Sequence, residues 1–277
     1  MTWTPVWAIV RKDLATVMRN RGVRLPLLIT PAVVLIVLPV LLVSGGEVMA
    51  TAGQIPEVGQ GATPFDAMSD EEVQRDAVGE IVDPRARWAV FVLEVFLAPL
   101  YLLVPLIVAT VIAADSFAGE RERGTLEALL HTTASDRDLM AGKVLAAWLP
   151  AVTVSLAGFA VYSMLANVLA WPHLGRVFFP SATWLLLAFW VTPAIAALGL
   201  GIMVVASSRV QSLQAAHQIG SLVVLPVILL LVAQITGVLM LNPSLVAIMG
   251  AMIWALAGLA VMLGAGHLRR DRLALRL

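Results

Sequence analysis

The sequence predicts an all-α, polytopic membrane protein with six transmembrane helices. Three observations predict it. Of 277 residues, 60% are hydrophobic and 13% charged, with a mean hydropathy of +0.92; a soluble domain carries about 25% charged residues. Six apolar runs, each of 19 residues or more, match a bilayer core of about 30 Å. The basic residues gather in alternate links between those runs.

The runs fall at 25–43, 95–114, 144–169, 182–206, 219–241 and 245–266, and none contains Asp, Glu, Lys or Arg within these limits. Their length and continuity specify helices, since the dyad alternation of a lipid-facing β-barrel is absent. The first run begins after a 24-residue lead and closes without a small-x-small cleavage site, so it reads as a retained helix. The whole chain, 1–277, reads as a single transmembrane domain.

Charge sets the expected orientation. The lead carries Arg11, Lys12, Arg19, Arg21 and Arg24 against Asp13, and the tail carries Arg269, Arg270, Arg272 and Arg276 against Asp271. Residues 44–94 carry ten acids and three basic residues. With both tails and the even-numbered links inside, that side holds 14 of the 18 Lys and Arg. The positive-inside rule then places both termini in the cytoplasm, and the plasma membrane is the expected location.

Taken in order, the lead (1–24) reads as an amphipathic helix in the interface. Thr4 caps it, Pro5 starts it, and Trp3, Trp7, Val10, Leu14 and Val17 form its apolar stripe. Residues 44–94 form the large exterior segment. Gly45, Gly46, Gly53, Gly59 and Gly61 predict turns there, and Ser69 with Glu72 predicts a capping box for a short acidic helix over 70–80. Asp83-Pro84 opens a helix that runs into span two as far as Phe117, 34 residues or about 51 Å, so it projects beyond the bilayer, with Pro99 and Pro105 bending it. Residues 170–181 read as an interfacial turn. Asn242-Pro243-Ser244 reads as a three-residue link, with Asn242 capping span six.

The link 115–143 is the densest polar stretch after the exterior segment. Glu120, Arg121, Glu122, Arg123 and Glu127 alternate in sign beside Leu126, Leu129 and Leu130, which describes a short amphipathic helix suited to a groove in another protein. A solvated turn fits the periodicity as well. Thr132-Thr133-Ala134 ends the helix, and Ser135, with Asp138 three residues on, caps the next.

The run GERERGTLEALL, followed by AGKVL, resembles the intracellular segment of ABC type-2 permeases. Their pattern E-x-E-x-G-T-L-E-x-L-L, then G-K at the start of span three, is matched by Glu120, Glu122, Gly124, Thr125, Leu126, Glu127, Leu129, Leu130, Gly142 and Lys143. The resemblance extends to the basic interfacial helix, the six spans and the two inside termini. It implies that Glu120 lies near an inner gate and that Arg121 through Leu130 form a cytoplasmic coupling helix docking on an ATPase. Gly142 and Lys143 then mark the elbow into span three. It also implies a dimer, of two copies or two paralogues. Two features depart from the pattern. Thr132-Thr133 stand where relatives often carry Pro after the leucine pair. The short link between spans five and six leaves no room for the re-entrant element many relatives have there.

No G-x-x-x-x-G-K-[ST] occurs, since Gly142-Lys143 is followed by Val144, so ATP and Mg are expected on a separate P-loop ATPase. The chain itself is expected to bind no cofactor or metal, to have no catalytic residues and to bind no nucleic acid. Absence of Cys excludes thiolate sites and disulfides. Ser155 and Ser163 lack the G-x-S-G setting of an intramembrane protease, and His131, His173, His217 and His267 lie at boundaries or in links. Secondary carriers usually bury ionisable groups in their spans; a carrier or a non-transport scaffold is the alternative. Asn167, Gln211, Gln214, Gln218 and Gln234 either line a path or pack between helices. Ala197 with Gly201, and Ala260 with Gly264, permit close helix approach.

Overall fold

The computed structural model describes residues 3–51, 84–119, 122, 136–207 and 213–267. An amino-terminal helix, α1 (Trp3–Arg19), precedes six helices long and apolar enough to cross a membrane. These are span one (Arg21–Gly46), span two (Arg85–Phe117), span three (Ala141–Leu174), span four (Ala182–Ser207), span five (Gln218–Ile235) and span six (Pro243–Gly264). No strand occurs among the described residues. The protein is an all-α, multi-pass membrane protein.

Span two is the hub. In it 72% of the apolar window is buried, against 17% in spans five and six. It packs against spans one, three, four and five, while span six rests chiefly on span four. Small residues set that last contact: a Cβ on Gly201 would lie 2.8 Å from the Cβ of Ala260, and one on Gly264 would lie 2.5 Å from Val204. The Gly201 and Ala260 positions singled out from the sequence thus serve packing within the chain.

Proline explains much of the helix irregularity. Three π-helical turns, Val33–Val37, Phe91–Phe96 and Leu187–Val191, precede Pro39, Pro99 and Pro193 within three residues. Proline has no N–H for the carbonyl four residues back, and a wide turn shifts the ladder past the gap. Span two is further interrupted at Leu102, whose N–H reaches the Pro99 oxygen at 3.0 Å. Span five is broken at residues 223–224, just before Pro226.

Several expectations are corrected. The span-one helix continues to Thr51, so Gly45 and Gly46 are not turns. Gly46 is instead a notch that receives the Trp88 indole, whose Nε1 donates to the Leu42 oxygen at 3.0 Å. Thr4 lies inside α1 rather than capping it. The buried face of α1 is Val6, Val10, Asp13 and Val17, and Trp7 is 48% exposed. Span three runs to Leu174, leaving 175–181 as the link. Span five ends at Ile235, so the link to span six is the seven residues 236–242. That link turns at Gly237 (φ +70°) and folds back, with Leu239 N donating to the Ala233 oxygen at 3.1 Å and Leu241 buried in the core. Asn242 does cap span six, accepting from Leu245 N at 2.8 Å.

Spans two and three also reach past the sequence limits and take in Glu94, Asp115 and Lys143. The spans therefore do contain ionisable residues. Neighbouring helices bury Asp115 and Lys143 and partly cover Glu94, which a reading of apolar runs does not register. The acidic helix over 70–80, Ser69, Gly53, Gly59, Gly61 and the 132–135 break lie outside the described residues.

Candidate functional site

Two polar constellations lie at opposite ends of the bundle. The first is a corner on the side of α1, where span two ends and span three begins. The end of span two widens into a π turn, Asp115–Gly119. Lys143, 2% exposed, crosses to it: Nζ donates to the Ser116 oxygen at 2.8 Å and sits 5.3 Å from the Phe117 ring centroid. A cation at a helix C-terminus meets carbonyls that lack intrahelical donors, so charge, hydrogen bond and ring face act together.

Gly142 supplies the second tie. A Cβ there would lie 2.9 Å from both Cβ and Cγ2 of Ile9, so only glycine lets α1 lie this close on span three. Asn20 supplies the third. It stands at the break between α1 and span one, where Oδ1 accepts from Gly22 N at 3.0 Å and Nδ2 donates to Asp115 Oδ1 at 3.2 Å. Asp13 on the buried face of α1 is 4% exposed and pairs with Lys12 at 3.3 Å. Four chain segments thus meet at one corner: α1, the Asn20 break, the end of span two and the start of span three.

Of the residues singled out from the sequence, Gly142 and Lys143 lie in this corner. Glu122 is helical and exposed. Glu120, Arg121, Arg123, Gly124, Thr125, Leu126, Glu127, Leu129 and Leu130 lie outside the described residues. Ile9, Asn20, Asp115, Ser116 and Phe117 were missed. Asn20 alone carried a legible signal, an Asn immediately before an Arg-Gly pair and an apolar run.

The second constellation lies at the other end of span two. In its π turn Phe91–Phe96, three successive carbonyls accept side-chain donors from three different helices. Tyr162 of span three donates its hydroxyl to the Leu93 oxygen at 2.6 Å. Trp184 of span four donates Nε1 to the Glu94 oxygen at 2.9 Å. Gln234 of span five donates Nε2 to the Val95 oxygen at 3.0 Å. Pro99 explains the last, because it cannot serve Val95 as the fourth residue onward. Tyr162 and Trp184 stack at 5.0 Å and are fully buried, with Phe179 edge-on to both. Asn167 positions Phe179: its Oδ1 accepts from the main-chain N–H of residues 178 and 179, and its Nδ2 donates to the Phe179 oxygen at 2.8 Å.

Asn167 and Gln234 therefore pack between elements. Gln214 and Gln218 are exposed, and Gln211 lies outside the described residues. Ser155 and Ser163 bond back to their own helix, at Ala151 and Phe159. No group of three or more His, Cys, Asp or Glu that could hold a metal ion is present among the described residues.

Residues 7–251 match the model of a family described as ABC-2 family transporter protein. No curated protein matches the chain.

Proposed function

The chain belongs to the ABC-2 transporter family, and we propose that it is the membrane-spanning permease subunit of an ATP-driven exporter, working as a dimer with a separate P-loop ATPase. ATP and Mg act on that partner, and this chain does no chemistry of its own. The orientation is the one the charges favour, with both termini and the α1 corner cytoplasmic in the plasma membrane.

The observation that carries this reading is the Lys143–Ser116 tie, 2.8 Å long, across the two helix ends that flank residues 120–135. The helices that precede and follow the segment matching the coupling pattern are tied together at this one corner. A push on that segment is delivered to both ends at once, and through Gly142–Ile9 and Asn20–Asp115 to α1 and span one. Docking rests on the alternating charges and leucines of Glu120 through Leu130. The pathway is assigned to a partly exposed apolar stripe of the hub helix, Phe96, Leu100, Leu103, Ile107 and Val111, facing the second subunit.

The test is affinity purification of the tagged chain from its native membrane. Co-purification of a P-loop ATPase, labelled by azido-ATP, is expected. Glu122→Lys with Glu127→Lys should release the ATPase while the permease melts unchanged. Absence of any ATPase, or retention by the double variant, refutes the docking assignment and favours a carrier or scaffold.

A further inference from the structure

Glu94 is the tenth residue of span two, yet it plays no part in the corner just described. It stands level with the first turn of span four and the last turn of span five, because Trp184 and Gln234 bond the carbonyls of residues 94 and 95. Its side chain hydrogen-bonds that of Ser181, whose Oγ also accepts from Trp184 N at 3.4 Å. Ser181 therefore donates to the carboxylate and serves one oxygen. The other, Oε2, is closed off from solvent and has no hydrogen-bond partner. The residue as a whole is only half-buried, so it borders the bundle surface rather than being sealed in the core.

An anionic oxygen withdrawn from water without a donor is costly, and the cost is relieved by a proton or by something positive that meets it. Holding Ser181 does not require a charge, because a neutral amide oxygen would accept the same hydroxyl. A bare metal ion is a poor match. Hard cations take about six oxygens, and here the neighbouring carbonyls of Leu93, Glu94 and Val95 are already engaged by Tyr162, Trp184 and Gln234. An organic cation needs one carboxylate and apolar surroundings. The turn is apolar, but Phe91, Leu93 and Val95 and the Tyr162 and Trp184 rings belong to the buried core, so the approach to the carboxylate is from the partly exposed side of Glu94.

We propose that Glu94 is the recognition point for the positively charged head, ammonium or guanidinium, of an amphipathic substrate at the mouth of the bundle remote from α1. The proposal rests on the transport reading for the word substrate. The binding event itself needs only this chain, so the two fail separately. The three-donor clamp on residues 93–95 fixes the turn that carries the carboxylate, and Ser181 fixes which oxygen is left unpartnered.

The experiment uses the full chain in nanodiscs without any ATPase. Binding of rhodamine 6G, a hydrophobic cation, is compared with that of a neutral hydrophobic boron-dipyrromethene dye, each corrected for empty nanodiscs. Wild type should bind the cation saturably. Glu94→Gln should weaken that binding at least tenfold and leave the neutral dye unchanged. Glu94→Asp, which keeps the charge, should retain cation binding within a few-fold. The proposal is overturned if wild type binds the cation no better than the neutral dye. It is also overturned if Glu94→Gln binds like wild type, or if the Asp and Gln variants lose binding equally, which would make Glu94 a packing residue.

Discussion

The Nζ of Lys143 lies 2.8 Å from the main-chain oxygen of Ser116, with the two residues 2% and 6% exposed. This bond joins the helix that precedes residues 120–135 to the helix that follows them. Replacing Lys143 with Met keeps the stem and removes the charge. It leaves a buried carbonyl without its donor, at a cost of about 1–3 kcal/mol. The expected result is a lower thermal midpoint in detergent, unchanged ATPase binding, and weaker stimulation of ATP hydrolysis by the permease.

Gly142 and Ile9 give a steric prediction. Gly142→Val overpacks a contact that is already at its limit, which costs about 1–3 kcal/mol. Limited proteolysis should then cut α1 faster, and Ile9→Ala in the same chain should recover part of the protection. Equal cleavage of wild type and variant would mean that α1 does not rest on span three.

Two asparagines cap helices, and they separate stability from coupling. Asn242→Ala removes the cap of span six and Asn20→Ala that of span one, each costing about 1 kcal/mol. Only Asn20 also bonds Asp115. Both variants should melt lower, but only Asn20→Ala should reduce stimulated ATP hydrolysis.

The three donors on residues 93–95 differ in what their removal leaves behind. Tyr162→Phe deletes a 2.6 Å bond to the Leu93 oxygen, with a cost of about 0.6 kcal/mol and up to about 1.7 by analogy with other intramembrane bonds. Gln234→Leu removes Oε1, a buried oxygen with no partner, but it also takes from the Val95 oxygen the donor that Pro99 cannot replace. Its cost should therefore be no smaller than that of Tyr162→Phe. Steric-trap unfolding in bicelles measures both, and a Gln234→Leu cost at least equal to that of Tyr162→Phe is the expected result.

The six spans were legible because membrane helices announce themselves by length and apolarity, and those two properties were sufficient. Asn242 was legible for the same local reason that makes any cap visible. Gly46 was not, because a glycine that forms a turn and a glycine that admits an indole look alike until Trp88 is placed. Glu94 falls just outside the run 95–114 because an apolar run stops at the first charge, whereas the helix continues through it. The link 236–242 was read as three residues because Val238, Leu239 and Met240 are as apolar as a span. Their backbone leaves the helix at Gly237, which only its positive φ reveals. The corner around Lys143 joins residues far apart in sequence, and neither motif nor periodicity encodes that proximity. The matched Gly142-Lys143 pair marked its position but not its partners.

Residue 122 gives the most direct access to the central claim, that the link after span two grips an ATPase. The chain contains no cysteine, so Glu122→Cys and Val238→Cys each carry a single thiol, one at each end of the bundle. Each thiol is labelled with benzophenone-4-maleimide, the membrane complex is irradiated, and the products are identified by mass spectrometry. The account predicts a cross-link from position 122 to the ATPase and none from position 238. A cross-link from position 238 with none from position 122 would contradict it.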